Sequence, residues 1–184
     1  MILSTMGLLC GYDSYRARID NYIEGARAEG ADNVIAVTPN DIVFDCRTLI
    51  KCMFGCGDWG KGKTCPSREG ALKPQEWEHM LRRYKTVLII HSTNKKISQK
   101  ASFAIEKKAY LDGDVLAFSM SDCALCKDCA GNTNEHCRLP LQARPAFHSV
   151  GINVFATVEK FELPLVPLKE KAEPQNWYSA VWLN

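Results

Sequence analysis

Residues 86–120, TVLIIHSTNKKISQKASFAIEKKAYLDGDVLAFSM, decide the fold because they change period twice. The first six, 86–91, are an apolar run of strand length. A helix follows over residues 97–111 and is ended by Gly113, a residue type that stops helices readily. Residues 115–120 then read as a second strand. Strand, helix and strand at this length predict a βαβ crossover, which makes the two strands parallel neighbours joined by a right-handed connection. The predicted class is α/β: a mixed, mostly parallel sheet with flanking helices and two cysteine-rich metal-binding loops.

Upstream, Pro74 opens a helix with Trp77, Leu81 and Tyr84 on one face. Residues 34–37 are a β-like run, and 42–44 lead into the first cysteine region. Within 13–30, the residues Tyr15, Ile19, Tyr22, Ile23 and Ala26 recur at helical spacing, with Asp13 or Ser14 as the cap and Gly30 as the stop. Downstream come a helix expected over 144–160, a link punctuated by Pro164, Pro167 and Pro174, and a closing aromatic strand over 177–183. There is no internal repeat, and one metal-binding domain is expected over residues 1–184.

A chain of 184 residues, 46% of them hydrophobic, should bury roughly 70% of its unfolded surface and needs no metal or disulfide merely to fold. Its nine cysteines therefore have another purpose. The net charge of +2 gives no argument for a nucleic-acid or membrane-surface partner. No purely apolar run exceeds four residues, the length of Val87 to Ile90, far short of the roughly 18 residues of a membrane helix. No Lys or Arg precedes Leu8 and Leu9, and Leu9 precedes Cys10 where lipoprotein cleavage wants a small residue. The expected setting is the reducing cytoplasm, where closely spaced cysteines are metal ligands or redox groups, and an odd number cannot pair completely.

Cys123, Cys126 and Cys129 form C-x2-C-x2-C, followed by Cys137-Arg138 and Pro140. Three thiolates at this spacing let one loop wrap a cubane while a fourth closes the last corner. Zinc sites more often use two separated pairs. The spacing favours a [4Fe-4S] cluster over a zinc knuckle built from the same four cysteines or with His136 replacing one. Arg138 and Arg144 are candidates to offset cluster charge or dock a partner, against the plainer reading of salt-bridged side chains.

Cys46, Cys52, Cys56 and Cys65 are spaced C-x5-C-x3-C-x8-C, with Pro66 next. Gly55, Gly57, Gly60 and Gly62 let backbone N–H groups approach sulfur, and Lys51, Lys61, Lys63 and Arg68 surround what would be an anionic centre. A second cluster or a zinc ion is the natural reading. Residues 57–64 also match the phosphate-loop pattern G-x4-G-K-T. Cysteines interrupt both its approach and its exit, and His91 stands where a Walker B strand would carry Asp. Nucleotide binding fits least well. Cys10 reads as a small buried hydrophobe or an ordinary thiol. His79, His91 and His148 have no identifiable carboxylate partner and read as structural.

Taken together, Lys51-Cys52 with Cys56 and Cys65-Pro66, the second cysteine group with Cys137-Arg138 and Pro140, Ala143-Arg144-Pro145 and Gly151-Ile152 resemble a family of uncharacterised predicted metal-binding proteins of anaerobic archaea and bacteria. The resemblance implies metal binding through both groups and supplies no established reaction. The family's first group resembles a three-cysteine pattern at Cys52, Cys56 and Cys65, which leaves Cys46 as an additional ligand or none. His148 and Asn153 stand where acidic side chains would be expected.

The leading expectation is one or two [4Fe-4S] clusters in an electron carrier or redox subunit with a redox partner protein. Cys123, Cys126, Cys129 and Cys137 form one ligand set, and Cys52, Cys56 and Cys65, with or without Cys46, form the other. Without Cys46, one iron lies open and the protein becomes an enzyme. With zinc, it becomes a metal-stapled interaction module.

Overall fold

Val87, Leu88, Ile89 and Ile90 are all at most 1% exposed, yet they do not share one core. Val87 and Ile89 pack on one face of the sheet, with Leu81, Phe147, Val150 and Val158; Leu88 and Ile90 pack on the other, with Ile19, Tyr22, Ala26, Ala101 and Ile105. This is the two-residue alternation of a strand covered on both sides. The architecture comes from a computed structural model that describes residues 3–133, 135–167, 170 and 175–184, with side chains from residue 13 onward. Asn134, Pro174 and the Cys10 side chain lie outside the described residues.

The elements in order are α1 (Leu3–Ala28), β1 (Asn33–Val37), α2 (Thr48–Gly55), α3 (Pro74–Leu81), β2 (Thr86–Ser92), α4 (Lys95–Leu111), β3 (Phe118–Ser121), α5 (Val154–Glu159) and β4 (Trp177–Leu183), with short 3-10 turns between some of them. The sheet order is β1-β2-β4-β3, and every neighbouring pair is antiparallel. This corrects the expected mostly parallel sheet. Strands β2 and β3 do run in the same direction, each opposite to β4, but they are not neighbours. β4 lies between them, pairing Thr86 with Leu183 on one side and Phe118 with Trp182 on the other. Uninterrupted apolar runs are usual in parallel sheets because both faces are covered. Here α1 and α4 cover one face and α3, α5 and the segment 147–150 the other, so an antiparallel strand carries the same signature.

Buried serines hold α4 to β4: Ser98 Oγ donates to Ser179 Oγ at 2.9 Å, and Ser179 Oγ donates to the Ser98 carbonyl at 2.8 Å. Asn94 caps α4 by accepting from Lys96 N–H. The helix expected over 144–160 is a second correction. A 3-10 turn (Phe147–Val150) and α5 are separated by Gly151, whose φ is +91°. A side chain at Gly151 would also lie 2.7 Å from Pro74 Cβ. Its carbonyl accepts Asp45 N–H at 2.7 Å, and Phe44 pairs with Ile152 in an isolated antiparallel bridge. These long-range bonds outcompete helical continuity, and Asn153 starts α5 by accepting from Ala156 N–H. Among the described residues, no helix is long and apolar enough to cross a membrane.

Candidate metal centre

The first cysteine group begins on α2, a helix the sequence did not lead us to expect. It turns Cys52 inward, 5% exposed, and ends at Cys56, whose N–H donates to the Cys52 carbonyl at 3.2 Å. Successive turns then carry the chain to Cys65. Gly60, with φ +83°, bends so that its N–H reaches Cys65 Sγ at 3.2 Å, and Ser67 Oγ lies 3.1 Å from the same sulfur. Residues 57–64 thus follow a helix and lead into turns, whereas a phosphate loop follows a strand and opens a helix.

The second group follows β3. Gln99, buried on α4, accepts the Ala124 N–H through Oε1 at 2.6 Å and fixes the start of the loop. The 3-10 turn Ala130–Thr133 brings Gly131 against the first group. A Cβ on Gly131 would stand 2.9 Å from Gly62 Cα, Gly62 N and Lys61 C. The two cysteine segments therefore touch backbone to backbone.

Their meeting places Cys52, Cys56, Cys65, Cys123, Cys126, Cys129 and Cys137 around one cavity of about 220 Å³, together with Trp59, Lys95, Asp122 and His148. Cys46 is not among them; it is exposed and lines a separate depression with Phe44, Arg47, Pro74 and Glu78. A larger hollow of about 570 Å³ adjoins the thiols and shares Cys65, Cys129 and Cys137 with the first. Among the described residues, no three His, Cys, Asp or Glu side chains already stand in an arrangement that holds a single ion.

The thiols differ electrostatically. Burial, reinforced by the negative charge of Cys56, Cys65 and Asp122, pushes Cys52 up to about 11. Burial also opposes ionisation of Cys65. There the Ser67 hydroxyl and N–H, the Gly60 N–H and Arg68 outweigh it, so this thiol titrates below its ordinary value. A bound cation reverses the Cys52 shift, because a coordinating thiol is deprotonated outright.

Of the other candidates, Arg144 and His91 are held in structural contacts, whereas Arg138 and His148 also line the thiol cavity. Arg144 forms a two-pronged pair with Glu106, Nη2 to Oε1 at 2.5 Å and Nε to Oε2 at 2.8 Å, with both side chains under 15% exposed. Its guanidinium lies 4.9 Å from the Phe103 ring centroid, and Glu106 also accepts the Ser119 N–H at the start of β3. Arg138 pairs with Glu135 at 3.3 Å on the surface. His91 is buried between Asn33 Nδ2 at 3.1 Å and Asn176 Oδ1 at 2.8 Å. His79 and His148 are exposed. Sequence reasoning missed Gln99 and Glu106. The signal was there in the small polar residues Ser98 and Ser102, which mark the buried face of α4.

The donors fit a sulfur-ligated metal group: seven thiols on one cavity, an N–H already directed at one sulfur, and glycine backbone at the closest approach. No curated protein and no solved structure matches the chain. A family model described as predicted metal-binding protein (DUF2284) matches residues 36–183, a span that contains both cysteine groups, β4 and the loops between them, so the chain belongs to this predicted metal-binding family.

Proposed function

We propose that the protein is an iron–sulfur protein carrying one or two [4Fe-4S] clusters, serving in electron transfer or as a redox subunit of an anaerobic enzyme system. The observation that carries this reading is the convergence of seven thiols from both groups on one cavity. A tetrahedral ion uses four ligands, so seven favour a larger group or two of them. Cys123, Cys126, Cys129 and Cys137 would ligate one cubane, and Cys52, Cys56 and Cys65 three irons of another. Such a group, when bound, supplies one-electron exchange. The protein's own part is to donate Gly60 N–H to the Cys65 sulfur, which spreads negative charge from the thiolate. Trp59 and Lys95 close the cavity wall beside the thiols.

Isolation without oxygen, followed by iron, sulfide and zinc counts per chain, tests the proposal. About eight irons with matching sulfide support two clusters, and about four support one. Zinc alone overturns the redox reading and leaves the metal-stapled module.

The placement of Cys46 outside the cavity favours a second reading, in which one iron of the first cluster lacks a protein thiolate and binds substrate as a Lewis acid. In that case Cys46→Ser leaves the electron paramagnetic resonance spectrum unchanged. A changed spectrum makes Cys46 a ligand and removes this reading.

A further inference from the structure

The helix that carries Cys52 inward turns apolar side chains outward. On α2, Phe54 is 82% exposed, Ile50 55% and Met53 50%, a concentration unusual for an eight-residue helix. Isolated exposed apolar residues need no explanation, but contiguous ones on a polar rim mark contact surfaces. The chain that carries this face is cationic. Residues 48–68 contain Lys51, Lys61, Lys63 and Arg68 against Asp58 alone, a net of +3 in a chain whose total is +2. Lys61 and Arg68 donate to backbone carbonyls, of Gly57 and Lys61, and among the described residues neither forms a salt bridge with a carboxylate. Arg47, just outside, is matched by Asp45 at 2.7 Å, and Glu69 follows Arg68 at the other end.

We propose that the outward face of α2, centred on Phe54 with Lys51 on the same helix and continued by the cationic segment that carries Lys61, Lys63 and Arg68, is the docking surface for an acidic one-electron carrier protein. The inference rests on the electron-transfer reading above and adds the place and charge of the partner. Charge complementarity selects an acidic partner, because opposite potentials steer encounter and like charges reject wrong partners. It argues against a second copy of this chain: a two-fold contact sets the same patch against itself and would bring two sets of these cations together. The location is chemically apt, since Cys52 and Cys56 belong to the same helix and its cap. A partner seated on Phe54 would contact the same helix that supplies Cys52 to the thiol cavity. One electron then passes between partner and centre; what one loses the other gains, with no bond made or broken.

The test uses the full protein isolated without oxygen and a small acidic ferredoxin, immobilised as the probe, with binding read on a biosensor. The wild type binds and weakens steeply as salt rises. Phe54→Ser and Lys51→Glu each weaken binding about tenfold or more, in keeping with the loss of a central contact and of a steering charge. Both residues are exposed, so neither substitution disturbs the core. Leu111→Ser, at an 81% exposed apolar residue on α4, leaves binding as it was.

Binding that is absent, insensitive to salt or equal in all variants overturns the proposal. So does a wild-type dimer in sedimentation that Phe54→Ser dissolves, or attachment to anionic vesicles that both variants lose. Iron analysis and reduction by dithionite on the same sample separate the two ideas. An iron-loaded protein that ignores the ferredoxin sinks the surface and keeps the cluster; a zinc protein that binds it keeps the surface and sinks the electron-transfer reading.

Discussion

Gly131 and Gly62 touch where the two cysteine segments meet, and that contact can be loaded by a single methyl group. In Gly131→Ala, the new Cβ would begin 2.9 Å from Gly62 Cα, Gly62 N and Lys61 C, whereas ordinary contact starts near 3.4 Å, so the segments must part by about 0.5 Å. All three obstructing atoms are backbone, and no side-chain rotation relieves them. Overpacking of this kind costs roughly 1–3 kcal/mol. Gly62→Ala is the matched control: it lies in the same contact, yet its own Cβ would meet nothing within 4 Å. Neither glycine has a positive φ, so both substitutions stiffen the unfolded chain by a similar roughly 0.4–1 kcal/mol, and their difference isolates the clash. If both groups serve one centre, the strain falls on metal binding, and 1–3 kcal/mol corresponds to about a 5- to 150-fold loss of affinity. The assay is competition of metal-loaded protein against a graded chelator, with iron and zinc retained per chain as the readout. Retention in Gly131→Ala equal to that in Gly62→Ala would show that the two segments bind metal independently, and would refute the shared-centre reasoning.

Three further expectations concern the scaffold. Glu106→Gln and Arg144→Met each break a nearly buried, two-pronged ion pair and should destabilise by roughly 3–5 kcal/mol in urea, with the double variant losing less than the sum; full additivity would mean the pair is not coupled. Gln99→Leu leaves the partly buried Ala124 N–H without its acceptor, a cost of about 1 kcal/mol; hydrogen exchange should speed at 122–126 while the sheet stays protected, and uniform protection would refute the positioning role. The Asp32 carboxylate is held below its usual range chiefly by the Thr93 N–H, which it accepts at 2.7 Å. A depressed folded-state value means the stabilisation is present above about pH 4 and is lost as pH falls through the folded value. Asp32→Asn should therefore narrow the gap between stability at neutral and acid pH; an unchanged gap assigns the acid sensitivity elsewhere.

Residues 177–183 were legible as a strand to their observed bounds, Pro74 marked the start of α3 and Gly30 the end of α1, but α1 begins at Leu3 and not at the expected Asp13 or Ser14 cap. The address of β4 was not legible. Its pairing with both β2 and β3 depends on contacts across more than fifty residues, and local pattern is silent on such distances. Both cysteine groups stood out by spacing alone, but the difference between Cys46 and Cys52 did not. Cys52 lies on α2, whose eight residues TLIKCMFG expose Ile50, Met53 and Phe54 and so lack the one-sided pattern of a helix packed on a core. Arg144 looked like a candidate for partner or cluster contact because Glu106, which neutralises it, is thirty-eight positions away. Gln99 was hidden for the opposite reason: a glutamine on a helix ordinarily faces water.

The position of β4 orders events during synthesis. Every thiol of the cavity is made before residues 177–183, yet β3, which launches the second cysteine loop, joins the sheet only through β4. While the nascent chain ends short of Trp177, the facing edges of β2 and β3 are open, and open strand edges invite mispairing. The second cysteine loop is therefore anchored to the sheet only after β4 has paired with both strands, so the thiol cavity is completed late in folding.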